Sequence, residues 1–484
     1  MSTQSDILWT QVGGILRGSD YGDFYGGAVA VSQDGTRMVV SAKNEDTTLT
    51  KTGSVTIYEK SGRSWNQLGQ TLYGQIANER YGYAVSISGD GSTIAVGSPW
   101  NAASGTESGT VRIYKYVYVD TTAVWSWVVE GNMLHGDQPY DRFGSSVSLN
   151  YDGTRVVGGS PHSNTRGINS GQVLPYEYSG GAWLVQGTEI RGGGIGFKLG
   201  TALATNGEGD VMILGSPFHE TSGGDVTGGA MVMEWTFQWS QKGSELEGRH
   251  VDDAFGTSVA IDKLGETVAV GAPGVSLSEA AVYTGDAANR GYVDVYSWEM
   301  VTWEVYDWKL KAHLMGADAE QEYFGFSVSL SMLGDYAAVG APEVSINGKA
   351  LTGEVTVFHR ADNIWAQHGD SLTGRRGGGY YGSSVVLSGD GSAVIIGSPG
   401  PLDDSFTSGS VAMYEVIEPT SSSSSMDAND ILAITNLTLL FVLFVFTVYA
   451  FFHSKRETRR AQIVYETSEA IDENNKRENV NMSF

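Results

Sequence analysis

Five carboxylates recur at one position in this chain. Asp23, Glu79, Asp141, Asp253 and Glu322 each stand three residues before a glycine, and those glycines belong to a series: Gly26, Gly82, Gly144, Gly200, Gly256, Gly325 and Gly382. A circle of carboxylates can draw in a cationic ligand. The same group within a loop can instead accept bonds from backbone N–H groups and hold the loop's shape. The fourth and seventh copies have Phe197 and Gly379 in its place. Recurrence in most copies weighs toward the capping role, since a ligand site need not follow repeat symmetry. A second candidate is the stretch Gly274 to Arg290, which carries Tyr283, Asp286 and Arg290. Long loops on a rigid scaffold are where binding groups concentrate.

Other chemistries find no footing. The chain has no cysteine, so it forms neither disulfides nor thiolate metal sites. No paired-histidine zinc motif, no nucleophile turn around a serine and no phosphate-cradling glycine loop is present. The expectation is therefore a protein that is not an enzyme. The net charge is −25. Residues 453–484 are balanced and 431–452 carry no charge, so the excess sits on residues 1–430. A domain this acidic repels nucleic acid and anionic membrane surfaces.

The elements that must position these residues are hairpins. Phe143 to Pro161 reads as an alternating run, a turn at Asp152-Gly153 and a Val-rich run. Alternation with period two marks strands, and Asp-Gly between two such runs marks a tight hairpin. The stretch recurs at all seven glycines. In six copies a proline stands 17 residues on: Pro99, Pro161, Pro217, Pro273, Pro342 and Pro399, with Lys43 in the first copy. No copy gains or loses a residue, because a one-residue slip would turn a strand inside out.

Each unit adds a Gly-x-Val-like strand and a Trp strand. The glycines are Gly53, Gly109, Gly171, Gly229, Gly291, Gly353 and Gly409, and the tryptophans are Trp9, Trp65, Trp127, Trp183, Trp239, Trp308 and Trp365. Four strands in a unit of this length predict a radially repeated sheet, here an all-β, seven-bladed β-propeller over residues 7–416. The seventh unit has no Trp strand and the first has a surplus one at Trp9. Pairing the N-terminal strand onto the last blade shuts the ring and removes its open edges. In this topology the acidic loops and the prolines share one face, the Pro-side face. The Asp-Gly turns occupy the other.

The pattern Phe/Tyr-Gly, Val-x-Leu-Ser-x-Asp-Gly, Val-Gly-Ala/Ser-Pro resembles FG-GAP repeats, as in integrin alpha-subunit propellers. The nearest spellings are Phe255-Gly256 with Gly271-Ala-Pro273, and Phe324-Gly325 with Gly340-Ala-Pro342. The resemblance implies surface recognition or adhesion. It also implies calcium in the loop between strands one and two. Calcium takes six to eight oxygens, and here each such turn offers little more than a single carboxylate, such as Asp34, Asp90, Asp152 or Asp390. No calcium site is carried over, and no cofactor is expected.

Beyond the propeller, 417–430 reads as a Ser-rich stalk. Residues 431–452 form an uncharged run long enough to cross a bilayer as one transmembrane helix. Lys455, Arg456, Arg459 and Arg460 follow, which places the tail 453–484 in the cytoplasm as a disordered segment. The expectation is a single-pass membrane protein at the cell surface. Its propeller would bind a protein or glycan on the Pro-side face and meet the bilayer through 431–452. An intracellular tail-anchored scaffold is the alternative, supported by the missing signal peptide. A propeller lyase or hydrolase is a third.

Overall fold

The computed structural model describes residues 7–221, 223–274, 291–316, 323–400 and 408–417. These form seven antiparallel sheets with no helix. Blade three illustrates the plan. Its strands run Ser146–Leu149, Arg155–Ser160, Gln172–Ser179 and Ala182–Val185, and the short strand Ile190–Arg191 also pairs with the third. The hairpin register is Ser146 with Gly159 through Leu149 with Val156. At its turn Asp152 Oδ1 accepts from the Thr154 N–H at 3.0 Å, so the carboxylate that nominated the turn also closes it.

The seventh sheet is built from both ends of the propeller. Ser410–Ile417 pairs antiparallel with Leu8–Gln11, from Leu8 opposite Ile417 to Gln11 opposite Tyr414, and with Leu16–Arg17. The N-terminal strand thus closes the ring, as strand counting predicts. Seven hydrophobic clusters fill the seven junctions between neighbouring blades. The junction of blades seven and one holds Met38, Val40, Ile395 and Met413, so it is as dry as the others. A lone blade would leave these faces in water; burying each such side chain contributes about 1.5–3 kcal/mol.

The tryptophans clasp blade to blade. Each indole N–H donates to a backbone carbonyl of the preceding blade: Trp9 to His368 (2.9 Å), Trp127 to Leu68 (3.0 Å), Trp183 to Glu130 (2.9 Å), Trp239 to Gln186 (3.0 Å) and Trp308 to Lys242 (2.7 Å). Trp65 and Trp365 are the exceptions, with buried indole nitrogens that meet no partner. For Trp365 the cause is visible. In blade five the Trp strand runs unbroken over Val305–Met315 with a bulge against its neighbour. It has Ala312 where the other blades break the strand with a glycine four residues after the Trp.

Two glycine positions hold the Pro-side end together. The anchor glycines all have φ between +82° and +92°, which side-chain-bearing residues rarely adopt. Strand-three glycines such as Gly109 (φ +81°) lie in a parallel bridge against the next blade, here Phe143. In blade four the bridging residue is Gly228, opposite Phe255, one position before the expected Gly229; Gly229 instead opens the strand itself.

The Asp-Gly end is drawn tight by a circuit of backbone hydrogen bonds. Gln33 N–H donates to Gly89 O (2.9 Å), Asp90 to Tyr151 (3.1 Å), Tyr151 to Gly207 (2.9 Å), Gly207 to Lys263 (2.9 Å), Lys263 to Met332 (3.0 Å), Met332 to Gly389 (2.7 Å) and Gly389 back to Gln33 (2.8 Å). Each blade contributes one turn, and together they line an axial cavity of ≈ 180 Å³. Among the described residues no helix is long and apolar enough to cross a membrane. Of the expected stalk 417–430, Ile417 instead ends the last strand, where it pairs with Leu8; the rest of the stalk, the expected transmembrane helix 431–452 and the tail 453–484 lie outside the described residues.

Candidate functional site

The repeated carboxylates fold into their own loops. Asp23 Oδ2 accepts from the Asp20 N–H at 2.8 Å, and Asp141 Oδ2 from the Gln138 N–H at 2.9 Å. Asp253 Oδ2 accepts from the N–H groups of Arg249 (3.0 Å) and His250 (2.8 Å) and from the Tyr292 hydroxyl (2.6 Å). Glu79 is wholly buried; it accepts from the N–H groups of Gln75 and Ile76 and from the Asn101 amide, and lies 3.5 Å from the Arg112 guanidinium. Burial lifts Asp23 to about 6 despite its bond from Asp20, and lifts Asp141 in the same direction. Where the acid is missing, strand two supplies the stitch. Ser216 Oγ donates to Phe197 O (2.8 Å) in blade four, and Ser398 Oγ to Gly379 O (2.6 Å) in blade seven. Glu322, Tyr283, Asp286 and Arg290 lie outside the described residues.

One residue on from the carboxylate, a second series points elsewhere. Phe24, Arg80, Arg142, Lys198, Ala254, Tyr323 and Tyr380 all have φ between +51° and +59°. Left-handed backbone costs such residues about 1–2 kcal/mol, and all seven blades hold it. The first strands contact one another around the axis, so these residues ring the mouth of the axis on the Pro-side face. In blades one to four they assemble cations with aromatic rings. Lys43 Nζ lies 5.2 Å from the Phe24 ring centre and 4.7 Å from that of Tyr83. Arg80 and Arg142 flank Trp100 at 4.3 and 5.1 Å, and Lys198 sits 4.2 Å from Phe218. Arg142 also pairs with Glu107 at 2.8 Å and approaches His162 Nε2 at 3.4 Å.

The cations feel one another. Burial, then Arg80, brings Lys43 down to about 8. Burial, then Arg142, lowers Lys198, and burial followed by the same arginine lowers His162. Like charges gathered at a half-buried mouth are a ready seat for an anionic group. Around them the loops before the anchor glycines present exposed apolar tips: Tyr21, Ile76, Tyr140, Ile195 and Val251. Sequence reasoning missed this series. The signal was available, since Arg80 and Arg142 directly follow the carboxylates Glu79 and Asp141, and Lys43 replaces a proline. Among the described residues no group of three or more His, Asp or Glu side chains is placed to hold a metal ion.

Residues 75–114 match the family model of the FG-GAP repeat. This segment is an FG-GAP repeat. It spans the acidic loop, the hairpin and the first half of the third strand of blade two, including Glu79, Arg80, Trp100 and Arg112. No curated protein matches the chain. Solved structures align with the chain at low identity. Hydrazine synthase of Kuenenia stuttgartiensis aligns with a TM-score of 0.51 and 12% identity, over 84% of this chain and 97% of that one. U3-55K aligns at 0.49 and 11%, over 83% and 98%. The periplasmic gluconolactonase of Pseudomonas aeruginosa aligns at 0.42 and 15%, over 72% and 85%. At such identity the first of these speaks for the fold of this propeller and for nothing finer.

Proposed function

We propose that this FG-GAP propeller is a recognition domain, carried at the cell surface on the 431–452 segment. It binds an acidic group of a protein or glycan at the Pro-side mouth. The observation that carries this reading is the run of Lys43, Arg80, Arg142 and Lys198 interleaved with Phe24, Tyr83, Trp100 and Phe218. Cations gathered on one face of a chain with net charge −25 are matched to a partner of opposite sign. Aromatic rings beside them add flat contact area of the kind found at binding hot spots. The capping carboxylates give that face preformed loops, which lowers the ordering cost of binding.

The test is a binding screen of the purified chain against acidic and neutral glycans and peptides, alongside the R80E/R142E variant. Binding confined to acidic probes and reduced at least about tenfold by the double reversal supports the site. Acidic probes bound equally by both proteins rule it out. Protease added to intact cells checks the location: a propeller cleaved only after permeabilisation assigns it to the cytosol and refutes the surface reading.

A further inference from the structure

A second basic site lies away from the mouth, between blades six and seven, where a cavity of ≈ 480 Å³ opens on the Pro-side face. Its volume falls in the range of small-molecule sites, about 300–1,000 Å³. The equivalent place between blades one and two is filled. There Glu79, Asn101 and Arg112 form a buried charged network, with the Arg112 guanidinium 5.6 Å from the Tyr81 ring centre. The repeat register maps Glu79 onto Gly379, Arg112 onto Ala412 and Tyr81 onto Tyr381. Both charged side chains are thus replaced by small residues while the tyrosine floor is kept. Both changes leave space toward the cavity, which Gly379 and Ala412 line.

Its lining has a sign. Arg17, Arg375 and Arg376 stand around it, and among the described lining residues none is acidic. Among the described residues none of the three arginines pairs with a carboxylate; Arg375 donates to the Gln11 side-chain oxygen at 2.8 Å. On the floor lies the Tyr381 ring, its hydroxyl buried beside Tyr414 as that of Tyr81 is beside Tyr114.

We propose that this cavity binds a small organic anion of sugar size, its carboxylate or phosphate held by Arg17, Arg375 and Arg376. Guanidinium groups offer paired donors that suit either anion. The site shares none of the mouth's cations or their ring partners; Tyr21 borders both.

Calorimetric titration of the purified full-length chain with glucuronate and with glucose 6-phosphate tests the proposal, with glucose as the neutral control. Both anions should bind and glucose should not. The R375A/R376A variant, which alters exposed side chains only, should lose at least about tenfold in affinity. The G379E variant restores the acid of blade two and should abolish binding while the melting curve stays cooperative. Absence of binding up to about 10 mM overturns the proposal, as does binding that both variants leave unchanged. Binding that emerges only after Asp403 and Asp404 are changed to Asn also overturns it. The sequence places those two between the lining residues Gly400 and Ser408, and the chain's own carboxylates would then be the occupants.

Discussion

Removing residues 1–17 should open the ring. The deletion takes away four register pairs between Leu8–Gln11 and Tyr414–Ile417 and two between Leu16–Arg17 and Ser410–Val411. It also removes the Val12 N–H bond to Met413 O at 2.9 Å. Backbone bonds on that scale contribute roughly 3–6 kcal/mol net. Trp9, Ile15 and Leu16, packed at the edges of two inter-blade cores, add roughly 1 kcal/mol each by area. The Trp9 clasp to His368 O goes as well. The sum, roughly 6–9 kcal/mol, rivals the whole stability of a typical domain, about 5–15 kcal/mol. Ser410–Ile417 is left as an unpaired edge that invites association. The truncated chain should melt on the order of 10 °C lower and elute as oligomers in size-exclusion chromatography. A circular permutant supplies the control. Leu8 lies directly opposite Ile417, so a short turn can join them in a chain that begins at Gly18. This permutant keeps every inter-blade contact and should melt close to the parent. A monomeric truncation with unchanged melting temperature would refute the closure argument.

Three further outcomes follow from the same geometry. Trp183→Phe removes a bond to Glu130 O, whereas Trp365→Phe removes none; denaturant titration should show the first costing about 1 kcal/mol more, and equal losses would contradict the clasp. Because burial and Arg80 bring Lys43 from 10.5 to about 8, the unfolded chain binds more protons between those values, so stability should rise with pH across that window. Affinity for an acidic ligand at the mouth should fall over the same window as Lys43 loses its charge, and Lys43→Met should flatten both curves. Calcium or a chelator should leave the melting temperature in place, because the Asp34 and Asp90 carboxylates are already occupied by Ser and Thr donors of their own turns; a calcium-dependent rise of several degrees would show that the turns rearrange to ligate.

Much of this molecule is written along the chain. The hairpins, the seven copies and the closing role of the Trp9 strand are legible because strand register tolerates no insertion and because every strand needs a partner, so counting them reveals which is borrowed. The fate of the repeated carboxylates is not legible in that way. Whether Asp141 faces solvent or the N–H of Gln138 depends on the conformation of a short loop, and burial decides it. The mouth is harder still. Lys43, Arg80, Arg142 and Lys198 come from successive blades, and only the curvature of the ring brings Lys43 against Tyr83 and Arg142 against Trp100 of a neighbouring blade. The cavity between blades six and seven is a difference between sister positions: Gly379 and Ala412 are unremarkable as residues and become a site only where the fold sets them side by side above Tyr381. Local pairing is fixed by neighbours in the chain, whereas convergence across blades is fixed by the angle at which the sheets pack.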